Sequence, residues 1–402
     1  MQPYGSHGSR TDPLQQVEIP FRQWLPDQPD HNNPGLVEAK NVALRPGGYE
    51  PFLSPGSPSG SATALQRRTD GVLFSYVSET SNFSDTGYLY VAGGVATRLD
   101  SSGISTVSNT YSANTSFGYA GLARFGNDIY IASESSQATR PTHDLFKFNV
   151  SSRTFSTISS VPAGRGIERV GNFLVMSGID SAGYAPYSFR WSGFNQPDEW
   201  AASEATQAGE AEIENLALGG VTAVVGGRDP LIFQRRGITR FRYVGPPRIW
   251  EQQLISDRQG IAYRYSAVTV DGVTYFMNYE GVWVVGNGGI QNVSDGTVGR
   301  WIKDAALSTT LPFFGAYHRD KRCIVWGFRE NAGGGYQYGL VLNLETRAFS
   351  TIEDDYYGIA YGEPFASGAQ PYGLIPQSGV ATNSKIAPYD GDTLAATLTT
   401  GH

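Results

Sequence analysis

Cysteine is almost missing. The 402 residues hold one, Cys323. A single thiol excludes an internal disulfide framework. It lies in the apolar run CIVWGF, where a buried inert thiol is expected rather than a nucleophile. Histidine is scarce too. His7, His31, His143, His318 and His402 show no metal-ligand spacing and none pairs with Cys323, so no metal site and no cofactor is expected. P-loop, G-x-S-x-G and H-E-x-x-H motifs are absent, and the chain does not read as an enzyme. Charged residues are only 17 %, with a net charge of −7. That sign argues against a general basic affinity for nucleic acid, while leaving room for a local basic patch or a lumen that DNA passes without sticking. No apolar run approaches the roughly 20 residues that span a bilayer. The opening MQPYGSHGSR has no apolar core, so neither a signal peptide nor a membrane anchor is expected. Asn82, Asn114, Asn149 and Asn292 then sit in chance N-x-S/T matches.

Glycine is abundant, with 49 residues, and aromatics make up 12 %. Many short strands and tight turns would give this balance. The clearest unit runs from Arg264 to Asp295. Val268 and Val270, then Val273, Tyr275 and Met277, then Val282, Val284 and Ile290, alternate with other residues. Period two with β-branched and aromatic side chains predicts strands. Asp271-Gly272 supplies the positive φ of a tight hairpin. A four-stranded sheet of this size cannot bury both faces alone and must stack on copies of itself.

The pattern recurs. Units run over Gly71–Asn109 and Ala120–Ser159, begin near Ile167 and Val221, continue through the Arg264–Asp295 unit, cover Phe314–Glu353 and begin last at Tyr357. Starts recur roughly every 43–55 residues, the spacing of propeller blades. The fold class is all-β, a β-propeller. Seven blades fit the count, and six remain if the terminal unit lies outside the ring. Residues 61–402 form the propeller. Residues 1–60 are a Pro-rich extended arm and linker, with a short strand at Leu36–Leu44 and with Phe21, Trp24, Leu25, Tyr49 and Phe52 as apolar anchors. Ser54–Ala64 reads as linker. The last unit is thin, so a strand from the Leu36–Pro51 arm is expected to complete it and close the ring.

The third unit carries an insertion, WSGFNQPDEWAASEATQAGEAEIEN. Asn195-Gln-Pro197 makes a turn, and Asp198 is placed to cap a short helical turn. Glu204, Glu210, Glu212 and Glu214 follow in an acidic stretch that reads as a solvated loop. The fourth unit is basic, with Arg235, Arg236, Arg240, Arg242 and Arg248. Arg165, Arg169, Arg319, Lys321 and Arg322 occupy turn regions of others. Arg240 and Arg242 alternate with Phe241 and Tyr243 and share a face, either a solvated strand face or one that meets DNA phosphate or an acidic neighbour. Glu204, Glu210, Glu212 and Glu214 offer that neighbour, in the same or an adjacent subunit. Tight phosphate contacts would hinder sliding, which favours Arg–Glu contacts between subunits. Asp354/Asp355 and Asp198/Glu199 make poor glycosidase pairs, because adjacent strand residues face opposite ways. Ser294–Trp301, SDGTVGRW, reads as a structural turn.

The stretch from Arg190 to Trp301 resembles a known family, the packaged-DNA stabilisation or tail hub (nozzle) proteins of short-tailed bacteriophages. The positions that carry the resemblance are Trp191, Ser192, Asn195, Pro197, Trp200, Glu210, Gly226, Phe233, Gly237, Ile238 and Phe241. The stretch Leu25–Ser54 is also similar, including its Gly-Tyr-x-Pro. The family often continues past the last blade with further β-structure, whereas this chain ends just after TLAATLTT. The resemblance implies a structural virion protein, made in the host cytoplasm. Several copies, hexameric in the family, would form a ring below the head-to-tail adaptor and portal assembly. The ring would contact a tail tip plug or needle and fibre or spike proteins, hold packaged double-stranded DNA, and conduct it during ejection. The alternative is a monomeric carbohydrate- or protein-binding propeller anchored by Trp24, Trp200, Trp250 and Tyr336. A hydrolase is the third reading.

Overall fold

The computed structural model describes residues 23–31, 33–54, 65–66, 72–76, 87–92, 95–100, 103–107, 120–133, 142–162, 164–179, 185–227, 230–286, 288–304, 314–319, 321–328, 336–356, 358–360, 372–376, 383–388 and 391–400. The expectations for Phe21, His7, His402, Asn82, Asn114 and most of the linker fall outside them. So do those for the side chains of Arg165, His143, Tyr336, Asp354 and Asp355.

The chain is all-β. Among the described residues it forms six sheets of four strands, one of six and one hairpin of two. Five sheets are simple antiparallel meanders, each taken in chain order. The first holds Val72–Tyr76, Gly87–Ala92, Val95–Asp100 and Gly103–Val107. The second holds Ala120–Phe125, Asp128–Ser133, Thr142–Asn149 and Thr154–Pro162. The third holds Gly164–Val170, Phe173–Ile179, Ala185–Trp191 and Gly209–Glu212. The fourth holds Val221–Val225, Leu231–Gln234, Ile238–Tyr243 and Trp250–Ser256. The fifth holds Val268–Val270, Val273–Asn278, Gly281–Gly286 and Gly289–Asn292. Its first turn is the expected one, with φ of 51° at Asp271 and 79° at Gly272.

Consecutive sheets pack face to face. Val268, Val270, Met277 and Val282 of the fifth sheet meet Ile324, Trp326 and Leu340. Its other face puts Phe276 and Val285 against Leu231 and Phe233 of the fourth. Phe233 and Phe276 lie 5.0 Å apart. The third sheet buries Phe173, Phe189 and Trp191 against Phe241 and Trp250. The second places Tyr130 and Leu145 against Leu174 and Met176, and Leu89 of the first sheet joins Ile129 and Phe148 of the second.

The sixth and seventh sheets recruit strands from elsewhere in the chain. The sixth is a meander of Phe314–His318, Cys323–Phe328, Tyr336–Asn343 and Phe349–Tyr356. Leu36–Lys40 adds to it in parallel, Lys40 beside Thr351, and Thr397–Thr400 then adds antiparallel. The seventh holds Gly358–Ala360, Tyr372–Pro376 and Asn383–Pro388, completed by Leu65–Gln66.

The expected closing strand is therefore corrected. The Leu36–Pro51 arm does not complete the last unit; Leu65–Gln66 does. The reason lies in what Leu36–Lys40 buries. Leu36 and Ala39 join Trp24 in the core between the fifth and sixth sheets, and Lys40 pairs with Glu353. Asn41 then takes φ 59°, where Asn is tolerated. Its side-chain oxygen accepts from Glu353 N at 2.8 Å, and its amide donates to Ala395 O at 3.0 Å. This reverses the chain into the hairpin Val42–Arg45 and Gly48–Pro51. Asp27 fastens the preceding loop by accepting from Arg300 N and Trp301 N, both at 2.7 Å, at the start of the helix Gly299–Asp304.

Deleting residues 1–53 removes Trp24, Leu36, Ala39 and Val42 from a shared core. The melting temperature is expected to fall by roughly 5 °C or more, since each lost kcal/mol moves a chain of this size by a few degrees. Deletion through residue 66 is expected to lower it again. Melting equal to that of the full chain in both cases would show that these strands add no stability.

Candidate interaction surface of the third and fourth sheets

The positions that carry the family resemblance fall in one region, and each has a shape-setting role. Ser192 is fully buried; its Oγ accepts from Leu174 N at 2.9 Å. Trp191 Nε1 donates to Gln207 O at 2.6 Å, folding the insertion back onto its own strand. Asn195 stands at φ 54° in the turn. Trp200 Nε1 donates to Pro197 O at 3.0 Å, and its ring packs with Tyr130 and Leu145 of the second sheet. At Gly226 a Cβ would fall inside van der Waals contact of Arg169 O. One at Gly237 would fall against the Leu218 side chain.

Asp198 does not cap a helical turn. Its carboxylate accepts from Tyr130 Oη at 2.6 Å and Lys147 Nζ at 2.6 Å. An ion pair and a phenol bond outcompete a local cap here, because Trp200 already holds the turn against the second sheet. Burial, then the neighbouring Asp198, pushes the Tyr130 phenol well up, so it stays a proton donor.

The acidic stretch is not wholly a loop. Gly209–Glu212 is the outer strand of the third sheet. Arg190 stands opposite Glu210 and pairs with it at 2.5 Å. Glu214 pairs with Arg248 at 3.0 Å. Glu204 and Glu212 are exposed and meet no cation within ion-pair reach among the described residues.

The arginines of the fourth sheet divide between surfaces. Arg235 and Arg236 are exposed on the turn joining its second and third strands. Arg240 is half-buried and its Nε has no partner. Arg242 is exposed opposite Glu251. None of these four forms an ion pair with Glu204, Glu210, Glu212 or Glu214. Strands alternate in direction, so the Arg235–Gly237 turn and the 192–208 insertion lie at opposite ends of the sheets. Contacts agree. Arg236 N donates to Leu218 O and Ile261 N to Gln234 O at the first end. At the second end Asn195 N donates to Asn172 O, and Tyr243 Oη to Gln207 Oε1 at 2.7 Å.

Exposed apolar side chains flank both ends and went unmarked in the sequence. Leu216 and Tyr279 lie at the arginine end, and Tyr243 and Val244 at the other. Tyr279 was legible as an aromatic in a turn. Leu216 was not, since nothing local marks an apolar residue as solvent-facing. Arg258 and Arg264 were also missed. Arg264 Nε donates to Thr222 O at 2.6 Å across the fourth sheet's first strand.

Elsewhere several ionisable groups are buried or paired. Cys323 is buried and its thiol is pushed up to about 12 by that burial. Burial, with Lys321 nearby, lowers His318 to about 4. Lys321 pairs with Glu50 and lies 5.4 Å from the Phe52 ring. Arg169 stacks over Phe125 at 4.9 Å. The Ser294 turn is a backbone knot in which Ser294 O accepts from Thr297, Val298 and Gly299. Among the described residues no group of three or more His, Cys, Asp or Glu is placed to hold a metal, and no helix is long and apolar enough to cross a membrane.

Glu168 sits at the tight seam by Gly226 and accepts from Arg169 N at 3.2 Å. Burial raises its carboxyl from 4.5 to about 7, although part of the residue reaches solvent. The folded state therefore holds this proton more tightly than the unfolded one. Its contribution to stability is fully present below about pH 4.5 and is lost as pH rises through about 7. Glu168→Gln is expected to flatten that fall in urea unfolding between pH 5 and 8; an unchanged slope would exclude Glu168 as its source. Gly226→Ala at the same seam is expected to cost about 1–3 kcal/mol in the same assay.

Compared with known proteins, the sequence matches no family model and no curated protein.

Proposed function

We propose that the chain is a seven-bladed β-propeller and a structural virion protein of a short phage tail. Several copies, hexameric by the resemblance, form a hub or nozzle ring that retains packaged DNA and conducts it during ejection. The observation that carries the propeller reading is cyclic contact. First strands of neighbouring sheets touch in order from the second sheet to the fourth and from the fifth to the seventh, the fourth sheet's first strand meets the Arg264–Ser266 turn entering the fifth, and Gly358–Ala360 touches Val72–Tyr76. Seven sheets each provide a four-stranded meander, with Leu65–Gln66 supplying the last strand of the seventh. Seven such units in a closed order are favoured over six with an outlier.

The tail reading rests on the resemblance, and two features support it. The resembling residues build a hydrogen-bonded insertion and a tight seam, which suit a shape-based role. The first strands also approach closely, main chain to main chain at Gly121 and against the Val268 side chain at Gly315. A Cβ at Gly121 would fall against Gly166 and Ile167, and one at Gly315 against Val268 and Trp326. So close an approach favours a DNA conduit between copies rather than along the axis of one.

Quantitative mass spectrometry of purified virus particles carrying this gene tests the reading. The chain is expected at a few fixed copies relative to portal. Its absence from particles would overturn the tail assignment and leave the propeller a binding module.

A further inference from the structure

Residues 391–400 form a strap laid over the N-terminal arm. Among the described residues, every hydrogen bond from the strap to the rest of the chain goes to arm residues 36–54. Gly391 N donates to Ser54 O at 3.0 Å, Ser54 N to Asp392 O at 2.9 Å and Leu394 N to Phe52 O at 2.9 Å. Asn41 Nδ2 donates to Ala395 O at 3.0 Å. Thr397–Thr400 then pairs antiparallel with Leu36–Lys40. Thr399 stands opposite Glu38, and its Oγ1 donates to Glu38 Oε2 at 3.1 Å. No strap residue is buried. Leu394 and Leu398 pack half-buried against the core. The arm beneath is different, with Leu36 and Val42 at 0 % exposure and Ala39 at 1 %. The arm is thus locked into the core, while the strap is held mainly by main-chain bonds. Asp392 is the one charged residue the strap carries.

We infer that the strap exchanges between copies, so that residues 391–400 of one chain complete the sixth sheet of a second. A segment with few buried contacts opens at lower free energy than the core it lies on. Opening bares the outer edge of Leu36–Lys40, and an unpaired strand edge recruits another strand. The strap of a second copy fits that edge by identity, because the same residues remake the same contacts. Recognition runs through main chain and register, so it needs no opposed charges. In one-way exchange each copy gives one strap and receives another. Such a contact repeats, and closes into a ring when its rotation allows. The inference rests on the ring-forming reading for the neighbours, which hold a second edge close and raise the effective concentration of the strap.

Disulfide trapping between full-length chains tests it. Glu38→Cys and Thr399→Cys are made in separate chains, mixed under native conditions and mildly oxidised. Opposed residues of an antiparallel pair stand within disulfide reach. With the two substitutions on different chains, only an exchanged strap sets these thiols side by side in the ladder. Cys323 stays silent because it is buried with its thiol pushed up to about 12. Ser151→Cys, exposed on a turn of the second sheet, replaces Thr399→Cys as the collision control. Heterodimer yield is expected to exceed the control by about tenfold, the effect of roughly 1.4 kcal/mol of preferential pairing. Circular dichroism is expected to equal that of the unsubstituted chain. Yields equal to the control would overturn the exchange. So would a yield that rises above the control only where the circular dichroism is lost, since the strands would then pair after unfolding. Trapping that succeeds for a chain absent from virus particles would keep the exchange and remove the tail reading. Failed trapping of a chain present in particles would remove the exchange alone.

Discussion

The second to sixth sheets each have two apolar faces, and the fold depends on covering both. The fifth sheet shows the constraint most plainly, with Met277 and Val282 turned to the sixth sheet and Phe276 and Val285 to the fourth. Each such side chain is worth about 1.5–3 kcal/mol when fully buried. That gain is realised only when the neighbour is in place, so no sheet is stable as a unit. The same demand explains the glycines at the first strands. Gly121, Gly226 and Gly315 stand where a methyl group would collide with the adjacent sheet. Bulk is gathered toward the middle of the sheets, in Phe189, Phe233, Phe241 and Trp326, and withheld where main chains converge.

Edges pose the second problem, because an outermost strand offers unpaired backbone groups. The sheets answer it differently. The third ends in a strand of four residues, two of them exposed glutamates. The fourth ends in Trp250–Ser256, with Glu251 facing solvent. The sixth is covered by the chain's own Leu36–Lys40 and Thr397–Thr400. Segments far apart in sequence are thereby joined at one edge. Asn41 lets this happen, since its αL conformation ends the added strand and starts the hairpin that covers Cys323 and Val325.

The meanders were legible because their signals are local. Alternation and Asp-Gly or Gly-Asn turns place the strands of the second to sixth sheets close to where they lie. What failed was every pairing decided at a distance. Leu65–Gln66 is two residues long and has no period to read, so the sequence directs the closing role to the more strand-like Leu36–Pro51 arm. Asp198 had a plausible local cap, yet Lys147 and Tyr130 from another sheet hold it. Glu210 looked like loop because it sits among Ala, Gly and Glu, all poor strand formers. Its place on a strand comes from Arg190 across the ladder and from the seam with the fourth sheet.

The basic cluster of the fourth sheet shows why residues near in sequence need not form one site. Arg235 precedes the strand Ile238–Tyr243, and Arg242 is near its far end. At about 3.3 Å per residue, that separates them by about 15 Å. One belongs to the end where consecutive sheets are joined, the other to the end that carries the insertion. Arg235, Arg236 and Arg258 are thus exposed at one end, together with Asp257 and Glu280, and Arg242 and Glu204 at the other. The division arises from topology, because strand direction sends each turn of the meander to a fixed end. Charge placed on a second-to-third-strand turn and charge placed on a third-to-fourth-strand connection remain apart in every copy.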